Sequence, residues 1–385
     1  MNLRIIMIIA MVILFIFTIS AFSQDIIRAI NQGDLEQVKT LLEKNPELLN
    51  IKDNNGNSLL HYAVGKGHKE IAELLIAKGA DINAKSNMGY TPLDWIIDGE
   101  NSEIIELLKS KGAQITPVSD AKVYPLSETI SRIVFPYHMR SNIGAFIGPD
   151  GILLIDTGFS KRCVDKLKAK LQELGEGDIK YIINTHHHGD HIAGNSIAGD
   201  NTKIIGYSDL EKLLSEGIIS KSKEPLKGKT GKTFENYYTM RFNGEEIKII
   251  PNPGIHSETD LIIYFPDSKV ADMGDLLLSQ SFPGVSKNVV AYLAFLEKAL
   301  DIFPEDTKFI SGHGKDSTYE DVKNYQKMLL TTIEIVKKEM KAGKSFQDMQ
   351  KEKVLKDYES WGTFLTFLNT DYWINAVYAS YKDKN

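Results

Sequence analysis

Thr185-His186-His187-His188-Gly189-Asp190-His191 is the stretch on which the reading of this chain turns. Imidazole and carboxylate groups are the ligands of zinc at open catalytic sites, where each ion takes about three protein groups and keeps a position for water. On an extended segment alternate side chains point the same way, so His186 and His188 face one ion and His187 faces away. Gly189 lets the backbone turn sharply and sends Asp190 and His191 toward a second ion. A single histidine pair is weak evidence for a metal, whereas this spacing is a strong signal.

The segment before the cluster, Ile179 to Asn184, reads as a buried strand that delivers the ligands at its C-terminal end. Further upstream, Ile143 to Ile147 and Gly151 to Ile155 form a predicted hairpin around Gly148-Pro149-Asp150-Gly151. Lys161 to Leu174 has helical spacing. Downstream, strands are predicted at Lys203 to Gly206, Ile247 to Pro251, Asp260 to Phe265, Lys269 to Ala271 and Phe309 to Ser311. Helices are predicted over Ser208 to Glu216, Val289 to Ile302 and Tyr319 to Ala342. Hairpins mixed among helices argue for layered sheets covered by helices and against a purely parallel sheet.

The motif His186-x-His188-x-Asp190-His191 resembles that of the metallo-β-lactamase superfamily, and four further elements follow its pattern in order. They are Asp156-Thr157-Gly158 after a strand, His256 within Pro253-Gly254-Ile255-His256-Ser257, Gly274-Asp275, and Gly312-His313-Gly314. Ile255 is an extra residue relative to the family's loop. The resemblance implies an α/β fold, an αββα sandwich. It also implies that His186, His188 and His256 hold one metal, that Asp190, His191 and His313 hold another, and that Asp275 bridges both. Asp272 competes for the bridging role, and Gly274 before Asp275 favours the latter. Asp156 orients the site from behind the ligands.

Two zinc ions are therefore expected, and with them a zinc-dependent hydrolase that uses a metal-activated water, with Asp190 as the catalytic carboxylate. The substrate is an unidentified small molecule carrying an ester, amide, thioester or similar bond. A true β-lactamase is the alternative, although those members usually lack the bridging aspartate. A mononuclear iron dioxygenase of the same fold is a second alternative, separable by metal analysis. Relatives with two irons usually carry glutamate where His188 stands.

The first third of the chain is self-similar at a spacing of 33 residues: Val38, Ile71 and Ile104 correspond, as do Leu41, Leu74 and Leu107, and then Gly79 and Gly112. Asn55 to Ala63 and Met88 to Ile96 resemble the ankyrin turn-plus-helix signature. About three repeats over residues 24–117 are expected, a small all-α domain whose first copy is a half-length cap. Such a unit is either a surface for a protein partner or a structural spacer. His61 is expected to stabilise a turn, and His68 to be solvated at a helix start. The catalytic domain then spans 118–385, with a helical extension from about residue 345 that packs on its outer face or, alternatively, forms a dimer contact.

Arg4 followed by the apolar run Ile5 to Ile19 and the small residues of Ala21-Phe22-Ser23 reads as a signal peptide over residues 1–23, and hence as an exported, periplasmic or secreted protein without a stable membrane span. The alternative is an uncleaved anchor, since the apolar run extends to Phe22. The 385 residues are 42% hydrophobic and 25% charged, as in ordinary globular proteins, with a net charge of -6 that offers no field for nucleic acid. The single cysteine, Cys163, excludes an internal disulfide and reads as packing. Gly231-Lys232-Thr233 ends like a phosphate-binding loop, but Leu226 stands where that loop needs glycine. Lys221 to Lys232 is expected to be a solvated loop and His138 an ordinary loop residue.

Overall fold

Along the run Ile152–Ile155 successive side chains leave the strand on opposite faces, and both faces are buried. Leu153 and Ile155 pack with Ile247, Ile249, Leu261 and Ile263, whereas Ile152 and Leu154 pack with Leu167 and Leu171. A strand covered on both sides needs a layer on each, and that requirement generates the fold. The computed structural model describes residues 23–382 apart from 54, 88, 97–101, 137–140, 223, 231, 286–287 and 366. The signal or anchor reading of residues 1–23 thus lies almost wholly outside the described residues, as does that of His138.

The chain divides between Pro117 and Val118 into two compact units. In the first, helices Leu35–Lys44, Leu59–Gly65, Lys69–Ala77 and Ser102–Ser110 bury the positions that recur at the 33-residue spacing, among them Val38, Ile71 and Ile104. His61 links consecutive copies. Its Nδ1 faces Ser58 Oγ at 2.9 Å and its Nε2 meets the carbonyl of Tyr90 at 3.0 Å. One repeat later Asp94 does comparable work, accepting from Thr91 and from the backbone of Thr116. His68 departs from expectation: it lies against Gly33, and its Nε2 is buried without a hydrogen-bond partner.

In the second unit, one sheet runs β1 (Lys122–Pro125), β2 (Ile130–Val134), β3 (Asn142–Gly148), β4 (Gly151–Ile155), β5 (Ile179–Ile183) and β6 (Lys203–Ile205) in sequence order. The other contains β7 (Ser220–Lys221), β10 (Tyr238–Phe242), β11 (Glu245–Pro251), β12 (Leu261–Phe265), β13 (Val270–Asp272), β14 (Lys308–Ile310) and β15 (Ser317–Thr318). Between the sheets lies a core that includes Phe146, Ile183, Ile249, Ile263 and Phe265. Helix Val164–Leu174 covers the outer face of the first sheet, and helices Val289–Ile302, Tyr319–Lys341 and Thr370–Tyr381 cover that of the second. The result is the expected αββα order.

Three local differences from the sequence reading have physical causes. β1, β2 and β10 were not predicted, for Arg132 and Arg241 interrupt the apolar runs of β2 and β10. Lys221 to Lys232 is not simply solvated. Its β8 (Leu226–Lys227) pairs with β9 (Thr233–Phe234), and the backbone N–H of Thr230 donates to Asp301. The C-terminal extension supplies core as well as cladding, for Trp373 is fully buried, stacks on Phe282 at 5.5 Å and donates to Thr332 Oγ1 at 2.8 Å. Truncating such a residue costs about 3–5 kcal/mol. Cys163 is buried among apolar side chains.

Candidate metal centre

The parallel pairing of β4 with β5 and of β13 with β14 puts four strand ends at the same edge of the sandwich. Asp156 follows β4, the 185–191 segment follows β5, Asp275 follows β13 and His313 follows β14. His256 arrives from the turn between β11 and β12, where Asp260 accepts hydrogen bonds from the backbone of His256 and Ser257. The extra residue Ile255 is absorbed by packing against the helical layer, and Gly254 takes the positive φ of 87° that the turn needs.

Seven side chains converge there in two groups: His186, His188, His256 and Asp275, and Asp190, His191 and His313, with donor atoms in each group within 4.8 Å of one another. His188 Nδ1 stands 3.0 Å from His186 Nε2 and 3.0 Å from His256 Nε2. In the second group His313 Nε2 is 3.1 Å from Asp190 Oδ2. Asp275 lies between the groups, with Oδ1 3.3 Å from His191 Nε2 and 3.5 Å from His313 Nε2, and Oδ2 3.4 Å from His256 Nε2. Asp272 takes no part. It is buried, accepts from the backbone N–H of Gly274, and is pushed well above the usual carboxylate range by burial and by Asp156.

The donor set suits divalent cations. Nε2 of His191 and Oδ1 of Asp275 are buried and, although 3.3 Å apart, make no well-aligned hydrogen bond among the described residues, an arrangement that costs about 1–3 kcal/mol per group unless a cation faces them. The tautomers fit as well. His256 Nδ1 donates to the Gly284 carbonyl at 2.7 Å, and His191 Nδ1 faces Asp156 Oδ2 at 2.7 Å, so each leaves Nε2 toward the centre. Burial and the neighbouring histidines lower His186 to about 2, so it presents a lone pair. Burial also opposes charge on Asp190, Asp275 and His191. Nevertheless, His313 and His191 hold Asp190 at about 2 and Asp275 well below its usual range, while Asp156 and Asp275 raise His191 well above its own. Binding a cation there would require these imidazoles to give up their protons.

His187 turns away, with its Nδ1 2.8 Å from Thr259 Oγ1. Asp156 sits behind the ligands at φ 58°, and its carboxylate also accepts from the N–H and hydroxyl of Thr185 at 2.7 Å each. Thr185, Asp260 and Gly284 were not singled out from the sequence. Each acts on a neighbouring residue, and although Thr185 opens the quoted stretch, nothing local assigned it a role. Two glycines are fixed by close approach: a methyl group on Gly274 would lie 2.6 Å from Thr185 Oγ1, and one on Gly312 would lie 1.9 Å from Asp275 Oδ1.

Residues 138–315 match the metallo-beta-lactamase superfamily. The second unit is a metallo-β-lactamase-superfamily domain. Residues 26–118 match ankyrin repeats in three copies, so helical repeats precede that domain. Among relatives, a hydroxyacylglutathione hydrolase of Brucella ovis is 29% identical over 149 residues, 38% of this chain and 52% of that protein. A probable E3 ubiquitin-protein ligase, XBOS32, of Oryza sativa subsp. japonica is 42% identical over 67 residues, 17% of this chain and 14% of that protein. The chain thus spans about half the length of the first and much less of the second. Among solved structures, the inverting sec-alkylsulfatase Pisa1 from Pseudomonas sp. is 16% identical with a TM-score of 0.49, over 68% of this chain and 50% of that one. In the metallo-β-lactamase-superfamily domain, then, the strand ends that carry the candidate site fall between residues 156 and 313.

Proposed function

We propose that this protein is a zinc-dependent hydrolase with two metal ions, acting on an ester, thioester or amide bond of a small molecule. The observation that carries the reading is the placement of Asp275, whose two oxygens face different ligand groups. When bound, zinc supplies a water of lowered pKa and polarises the bond to be cleaved. His186, His188, His256 and Asp275 would hold one ion, and Asp190, His191, His313 and Asp275 the other. Asp190, kept ionised, can accept a proton at Oδ2 and return it to the leaving group.

A bridging aspartate favours the general hydrolases of the superfamily over its true β-lactamases. The named activity of the Brucella relative makes a hydroxyacylglutathione thioester the first substrate to test, beside nitrocefin for β-lactam cleavage. Purified protein should contain two zinc ions per chain, and Asp190→Ala should lower turnover by orders of magnitude. One iron per chain, or an unchanged rate in the variant, overturns the reading. The ankyrin repeats support a protein-binding surface, tested by whether deleting 25–116 leaves turnover intact while abolishing capture of a partner. Export, read from residues 4–23, belongs to the same proposal and is tested by fractionating cells and sequencing the mature N-terminus.

A further inference from the structure

Strand β2 buries a cation among aliphatic residues. Arg132, with its side chain 5% exposed, lies between Ser131 and Ile133, and the latter is fully buried. A guanidinium removed from water is costly unless its donors are used, so the destination of its hydrogen bonds is informative. Arg132 Nε donates to Asp316 Oδ1 at 2.6 Å, and Nη1 to Asn142 Oδ1 at 3.0 Å and the Gly314 carbonyl at 3.4 Å. Tyr124 closes over the guanidinium, with its ring centre 4.1 Å from Cζ.

Asn142, 2% exposed at the start of β3, completes the arrangement. Its Nδ2 donates to the carbonyls of Ser311 at 2.7 Å and Gly314 at 3.2 Å, and its backbone N–H to the carbonyl of Gly312 at 2.8 Å. Apart from the bond joining the two side chains, these hydrogen bonds all end on residues 311–316, the loop that carries His313. That loop belongs to the second sheet, whereas Arg132 and Asn142 belong to the first. The carbonyls on both sides of His313 are therefore held from across the sandwich. No hydrogen bond of the two side chains, among the described residues, reaches His186, His188 or His256.

We propose that Arg132 and Asn142 are positioning residues for His313 and set the affinity for the ion held with Asp190 and His191. This rests on the two-metal reading above. A planar fork is needed to serve Asp316, Asn142 and a carbonyl together, so lysine cannot replace arginine although it keeps the charge. Loss of such supporting contacts weakens metal binding by roughly 10- to 100-fold.

The test is a zinc titration of the full-length chain against a competing chelator, for wild type, Arg132→Lys and Asn142→Ala. The thermal midpoint of each zinc-free protein reports folding. The expected result is one ion bound as in wild type and the other weakened by roughly 10- to 100-fold in both variants. A folded variant that binds both ions with wild-type affinity, or that loses both equally, overturns the proposal. Should Arg132→Lys fail to fold, Asn142→Ala decides alone, since it leaves the ion pair of Arg132 with Asp316 in place. A wild-type protein that takes up no zinc instead overturns the two-metal reading, and this role with it.

Discussion

His191 Nδ1 lies 2.7 Å from Oδ2 of Asp156, a residue whose own backbone is held in the left-handed region at φ 58°. Such a backbone costs of order 1 kcal/mol for a residue other than glycine, and the bonds that Asp156 receives from Thr185 offset it. Asparagine tolerates the same backbone but cannot act as an ionised acceptor for His191. Asp156→Asn should therefore fold and bind the second ion roughly 10- to 100-fold more weakly. Chelator competition measures this, and an unchanged affinity would show that His191 is oriented without Asp156.

Gly312 makes a steric prediction. An added methyl would stand 1.9 Å from Asp275 Oδ1 and 2.7 Å from the backbone of Gly274, so Gly312→Ala must displace the carboxylate that faces both ligand groups. Overpacking of this kind costs about 1–3 kcal/mol. The variant should melt earlier and hold fewer than two zinc ions by elemental analysis. Gly189→Ala is the control, because nothing lies within 4 Å of its added methyl.

Metal content should depend on pH unequally at the two groups. Burial lowers His186 to about 2 and lowers His188 as well, so neither needs to lose a proton to bind metal. Burial opposes charge on His191 and His313, but nearby carboxylates raise both above the ordinary histidine value. Zinc must displace those protons, and the competition worsens as pH falls. As pH falls from above the ordinary histidine value, the ion at Asp190, His191 and His313 should be lost first. Simultaneous loss of both ions in zinc-per-chain measurements would contradict this.

His187 stands in the middle of the ligand motif yet points to Thr259. His187→Ala should keep both zinc ions and a turnover within about threefold of wild type, a difference of less than 1 kcal/mol. A lost ion in elemental analysis would place the imidazole in the site after all.

In the repeats, burial lowers the pKa of His61 from its ordinary value. The unfolded state then takes up a proton near pH 6.5 that the folded state resists, so the stabilisation is present above that pH and is lost as pH falls. Protection factors of the Leu59–Ala77 amides in the intact chain, with the intrinsic pH dependence of exchange divided out, should fall on acidification through this range. His61→Ala should flatten that dependence and destabilise the repeats by about 1–3 kcal/mol. An equally steep dependence in the variant would locate the titration elsewhere.

Much of this was legible in order along the chain, because alternation and local turns are encoded locally. The strands from β3 to β6 and from β11 to β14 follow from apolar runs bounded by glycine and aspartate, and helix Val289–Ile302 matches its predicted bounds. Trp373 was less legible. Its helix could be read from the sequence, but its burial against Phe282 depends on residues about 90 positions away, and sequence spacing does not report such contacts.

The segment 185–191 pointed by itself to metal chemistry in the second unit, since alternate histidines followed closely by an aspartate and a further histidine form a metal-ligand pattern before any fold is known. Only the tertiary structure decided that Asp275 and not Asp272 faces both ligand groups, and that Arg132 and Asn142 grip the loop of His313. The physical reason is range. A side chain's direction along one strand is set by the pleat, whereas its distance from a partner in another sheet is set by how the two sheets pack.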